Sequence, residues 1–124
     1  TLDAAYSVAA LPDNKILVLL NSFNRVILIR LLPNGNYDED FGNGGFVLIT
    51  DSDNELAETM LIQPDGKVLI VGHNIIQGIS KGVVRRVNPD GTPDAGFGTD
   101  GFVSIVLDAD KRLELNSVTL QSVG

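Results

Sequence analysis

Carboxylates alternate at two places in this chain, Asp51-Ser52-Asp53-Asn54-Glu55 and Asp108-Ala109-Asp110. Clustered oxygens of that kind suit a hard cation such as Ca²⁺, with Asp51, Asp53, Asp108 and Asp110 as weak candidate ligands. A complete site takes roughly six to eight oxygens, and no glycine-containing acidic loop follows either stretch. Lys111-Arg112 also intrudes on the second. Turn capping by aspartate is the plainer reading, so no metal and no cofactor is expected. His73 is the one histidine, and cysteine is absent. Without a second histidine or a thiolate, His73 reads as a surface residue or a donor at a turn. No Ser-His-Asp arrangement can be argued. Gly42, Gly44, Gly45, Gly98 and Gly101 would cradle a phosphate only at a helix N-terminus, and none follows. Their flanking phenylalanines point to tight loops instead. The residues supply no catalytic set, and the chain is expected not to be an enzyme.

The elements that position these residues announce themselves by repetition. Leu11-Pro12-Asp13-Asn14-Lys15 and its apolar run return 52 residues later as Gln63-Pro64-Asp65-Gly66-Lys67. Pro33-Asn34-Gly35, Asp38 and Phe41–Phe46 return 56 residues later as Pro89-Asp90-Gly91, Asp94 and Phe97–Phe102. Each copy holds four short apolar segments. They are Tyr6–Leu11, Ile16–Leu20, Val26–Leu31 and Phe46–Thr50, then Ala57–Gln63, Val68–Val71, Val83–Val87 and Phe102–Leu107. Their length and their Val, Ile and Leu content predict strands. Pro-Asp-Asn and Pro-Asp-Gly between the first two segments predict tight hairpin turns, with proline setting φ and Asn or Gly accepting positive φ. The paired Asp13/Asp65, Asp38/Asp94 and Arg30/Arg86 read as structural, each Arg pairing with an Asp of its own repeat.

Nine residues separate Leu20 from Arg30, whereas thirteen separate Gly72 from Arg86. The four extra residues fall at Asn74–Ser80, predicted to be a loop projecting from one rim. Asn74, Ile75, Ile76 and Ile79 are therefore the candidate partner contacts, as a sticky patch or as cover for a neighbouring blade. Leu115–Gln121 matches the first strand of a third copy. The reading is an all-β chain of two four-stranded antiparallel β-propeller blades plus the first strand of a third. Blade 1 spans 1–50, blade 2 spans 51–107, and 108–124 begins a third repeat. Two blades leave their outer faces uncovered, so more blades are expected, from a longer parent chain or from copies of this one. Three copies would give six blades.

The pattern IQPDGK-VLIVG followed by NPDGTPDAGFGTDGFV resembles the delta-60 repeat family of bacterial β-propeller-like proteins. Leu61–Val103 matches almost throughout. The first copy departs at Asn14 and at Asn34–Tyr37, and the third at Ser122-Val123. The resemblance implies a large, exported or cell-surface bacterial parent, and it carries over no catalytic residues.

Composition fits that class. The 124 residues are 44% hydrophobic, with a mean hydropathy of +0.17, which suits a folded domain. The apolar runs are far too short for a spanning helix, so no membrane insertion is expected. A net charge of −7 repels phosphate backbones and argues against nucleic acid as a partner. The opening at Thr1, with neither methionine nor leader, is read as a processed product or excised piece. The expectation is a non-enzymatic scaffold or protein-interaction module, bound to other blades or to another surface protein. The alternative is a ligand-binding propeller, dependent on carbohydrate or calcium. The absence of Trp weakens the carbohydrate form, because sugar sites of two-blade lectins use aromatic platforms.

Overall fold

The computed structural model describes residues 4–22, 25–50 and 55–105. These form two four-stranded antiparallel sheets. The first is β1 (Ala4–Ala10), β2 (Ile16–Ser22), β3 (Arg25–Leu31) and β4 (Phe46–Thr50), and the second is β5 (Glu55–Ile62), β6 (Val68–Ile76), β7 (Ile79–Val87) and β8 (Phe102–Ile105). Strand order follows chain order in both sheets, which is the meander of a propeller blade. The described residues contain no helix. The predicted third strand at Leu115–Gln121 lies outside them, as do Asp51, Asp53, Asp108 and Asp110.

Each sheet breaks its first pairing at the same place. Register shifts between Ala5 and Ser7 in β1, and between Ala57 and Thr59 in β5. These are β-bulges, which bend a strand and sharpen its twist.

The core lies between the sheets. Opposed residues on paired strands share a face, so Leu19, Leu28 and Val47 face one way with Leu17, Asn21 and Val26. This front face of blade 1 packs on the back face of blade 2, built from Ala57, Met60, Val68, Ile70 and Val87. Asn21 crosses the boundary. Its Nδ2 donates to the Ala57 carbonyl at 3.2 Å and its Oδ1 accepts from the Ala57 N–H at 3.3 Å. One buried amide thereby satisfies both backbone groups beside the bulge of the next blade, a pairing that sets register as much as it stabilises.

The sequence reading of the long hairpin as a loop is corrected. The four extra residues extend the ladder by two pairs, Ile75↔Ser80 and Ile76↔Ile79, and leave a two-residue turn. Gln77 and Gly78 have φ of 53° and 78°, the type I′ pattern whose twist matches the strands it joins. The run HNII continues β6 because the β-branched Ile75 and Ile76 favour extended backbone.

Candidate functional site

The repeated charged residues converge on one turn cluster per blade. In blade 1 the Leu11 carbonyl accepts from the Asn14 N–H at 2.9 Å and the Lys15 carbonyl accepts from Leu11 at 2.8 Å. Asn14 sits at φ 68°, and Gly66 holds the matching place in blade 2 at 87°. Asn is among the few side chains that tolerate this region, which is why it can replace glycine there. Asp13 and Asp65 then accept from the N–H of Lys15 and Lys67 at 3.2 and 3.0 Å, fixing the turn from which each lysine departs.

Lys15 reaches Asp38, where its Nζ lies 2.9 Å from Oδ2. Arg30 Nε donates to the same oxygen at 2.9 Å, and the Asp40 N–H donates to Oδ1 at 3.1 Å. Asp38 is only 2% exposed. Blade 2 repeats the set: Lys67 and Arg86 lie 2.9 and 2.7 Å from Asp94 Oδ2, and the Gly96 N–H donates to Oδ1 at 3.1 Å. Each guanidinium also stacks on a phenylalanine, Arg30 over Phe41 at 4.6 Å and Arg86 over Phe97 at 4.7 Å. The Lys15 hydrogen bond, helped by the Asp40 N–H and Arg30, holds the Asp38 carboxyl below its ordinary range, although burial works against it. Lys67 does the same for Asp94, again against burial, with Gly96 and Arg86 assisting. A carboxylate this fully engaged is a poor general base, because every route to a substrate proton is taken.

The expected Arg–Asp pairing is therefore present in both blades. The lysines are what sequence reasoning missed, although each stood at a fixed offset inside the repeated Pro-Asp-x-Lys.

These clusters flank a cleft of about 570 Å³ between the blades. It is lined by Leu11, Leu17, Phe41, Ile62, Val68 and Pro89 among others, with Arg30 at its wall. Arg30 Nη1 donates to the Pro89 carbonyl at 2.9 Å, and the Gly42 N–H donates to the Asp90 carbonyl at 3.1 Å, so this end too is bridged. Gly91 has φ 97°, and a Cβ there would lie 2.5 Å from Val47 Cγ2, which requires glycine at this crossing.

Two matched meander sheets, stacked front to back and tied by the same cluster, are the observation that decides the architecture. Residues 63–97 also match the family model described as a domain of unknown function (DUF5122) β-propeller. The described residues form two β-propeller blades. No curated protein and no solved structure matches it.

The glycine-rich propeller loops confirm the tight-loop reading. The Gly45 N–H donates to the Phe41 carbonyl at 2.9 Å and Asn43 donates to Phe46 at 2.9 Å. Phe41 is buried, while Phe46 meets Tyr37 with ring centroids 4.8 Å apart.

Blade 2 carries two features that blade 1 lacks. Arg85 makes a two-pronged pair with Glu55, Nε to Oε2 and Nη2 to Oε1, both at 2.9 Å. Glu55 is 6% exposed, and Arg85 also covers the Phe102 ring at 4.5 Å. Nothing in the repeat pattern signalled this pair, since position 85 corresponds to Ile29. The second is His73, which sequence reasoning placed at the surface. It is instead 6% exposed, inside β6, because the ladder continues past it. Its Nδ1 makes no hydrogen bond and lies 3.4 Å from Glu58 Oε1.

Of the candidate contacts, Ile75 and Ile79 are exposed near the hairpin tip, and Asn74 is half-buried. Ile76 pairs with Ile79 in the ladder. Among the described residues no group of three or more His, Asp or Glu side chains could hold a metal ion.

Proposed function

We propose that this chain is a non-enzymatic repeat module of the delta-60 kind, serving as a scaffold or protein-interaction surface in an exported or cell-surface bacterial protein. One observation carries the reading. The charged side chains that recur in both blades are spent on their own turns, with Asp38 and Asp94 each receiving three donors. Chemistry would leave at least one of them open to a substrate. The resemblance of the repeats supplies the bacterial surface setting, and the exposed Ile75 and Ile79 offer a partner contact.

The apolar cleft beside Arg30 and Phe41 supports the alternative, a ligand-binding propeller. Thermal melts separate the two. A scaffold keeps one Tm with millimolar Ca²⁺, with chelator and across a glycan panel. A reproducible upward shift with any of these probes would replace the scaffold reading by the ligand-binding one.

A further inference from the structure

We propose that Asn43 is a site of spontaneous deamidation, which the fold leaves open at this step and closes at every comparable one. A glycine after Asn or Asp lets the side-chain carbonyl meet the next backbone nitrogen, because no Cβ stands in the way. Five such steps occur in the described residues: Asn34-Gly35, Asn43-Gly44, Asp65-Gly66, Asp90-Gly91 and Asp100-Gly101. In four of them the glycine nitrogen is engaged. Gly35, Gly66 and Gly91 each donate at 2.9 Å, to the Leu32, Gln63 and Asn88 carbonyls, and Gly101 donates to Phe97 at 2.8 Å. The Gly44 N–H makes no hydrogen bond among the described residues. Access does not separate the two asparagines, since both are exposed and a Cβ at Gly35 or Gly44 would meet nothing within 4 Å. Hydrogen bonding does. Asn34 Oδ1 also accepts from the Asn36 N–H at 3.0 Å, whereas the Asn43 amide has no partner among the described residues.

The reaction needs only water. The Gly44 nitrogen gives up its proton and attacks Cγ of Asn43, forming a C–N bond, and the side-chain nitrogen leaves with that proton as ammonia. Water then opens the cyclic imide. Cleavage between Cγ and the nitrogen leaves aspartate at 43. Cleavage between the main-chain carbonyl carbon and the nitrogen leaves isoaspartate, whose backbone runs through Cβ and Cγ and is one methylene longer. That methylene falls in a tight place. Asn43 donates to the Phe46 carbonyl at 2.9 Å and accepts from its N–H at 3.3 Å, and Gly45 donates to Phe41 at 2.9 Å. The Gly42 N–H next door crosses to Asp90 of blade 2 at 3.1 Å. A longer backbone breaks the Asn43–Phe46 pair at the start of β4. Blade 2 keeps the same pair with Thr99 and Phe102, at 3.0 and 3.1 Å, and has no amide to lose there.

Peptide mass spectrometry on the whole chain, aged in mildly alkaline buffer, tests this. In the folded chain Asn43 should convert about tenfold faster than Asn34, the weight of one hydrogen bond at the Gly35 nitrogen. In urea, where Gly35 is released, the two should convert alike. Asn43→Thr, the blade 2 solution, should remove the fast release of ammonia while circular dichroism and Tm hold. Equal rates at the two asparagines in the folded chain, no gain at Asn34 in urea, or fast ammonia release that survives Asn43→Thr overturns the inference. The inserted methylene is read separately. The aged chain should melt about 4 °C below Asn43→Asp, which carries the same charge on an unaltered backbone. Coincident melts would overturn the effect on β4.

Discussion

Blade 1 and blade 2 share their turns and differ in their faces. The Lys–Arg–Asp cluster, its stacked phenylalanine and the bulge of the first strand agree between them almost distance for distance. The faces do not agree. Where blade 1 has Ile29 turned outward, blade 2 has a half-buried Arg85 paired with the buried Glu55, and where blade 1 has Asn21, blade 2 has His73. Turns answer to local backbone geometry, which is the same in every repeat. Faces answer to whatever packs against them.

The hardest blow to the comparison should fall on the pair of buried Glu55 with half-buried Arg85. Glu55→Leu strands the Arg85 guanidinium at the blade interface and is expected to lower stability by about 3 kcal/mol in urea unfolding. Adding Arg85→Ile restores the blade 1 solution and should recover most of the loss, because apolar replacements of buried pairs are often neutral. A double variant as unstable as the single one would show that the faces are less interchangeable than the repeat implies.

Next comes the shared cluster. Asp38→Ala removes the acceptor of three donors and should cost about 2 kcal/mol, and Asp94→Ala should cost less because Asp94 is the more exposed of the two. The pH dependence follows from the same contacts. Both carboxyls are held below the ordinary value of 3.8 in the folded chain. Their stabilisation is thus complete above the unfolded pKa and is lost as pH falls below about 4 through the folded values. Acid titration of Tm should show that limb flattened in Asp38→Asn.

Asn21→Leu should cost about 1–2 kcal/mol by leaving the Ala57 N–H and carbonyl without partners at the blade boundary. The smallest effect belongs to the hairpin that only blade 2 extends. Gln77→Asn fits the positive φ of the type I′ turn better and should raise stability by a few tenths of a kcal/mol. Calorimetry that shows no gain would mean that the tip frays independently of the blade.

Most of the fold was legible because turns are written locally. Pro-Asp-Gly, spaced between short apolar runs, specifies a hairpin through φ preferences that need no distant partner. The strand count and the Arg–Asp pairing followed from the same repetition. The long hairpin was not legible, since NIIQGIS obeys loop and strand rules alike until the pairing Ile75↔Ser80 settles it. Nor was the burial of His73, for a residue just past an apolar run looks like an edge until the ladder is seen to continue.

The sequence by itself determined the unit: four strands, their turns and the residues that pin each turn. Those are short-range matters of backbone preference and hydrophobic pattern. Tertiary structure alone decided which face of each sheet is covered, that Asn21 reaches across to Ala57, and that Glu55 finds Arg85. Such contacts join positions 30 or more residues apart, and their energies depend on the water that stacking excludes.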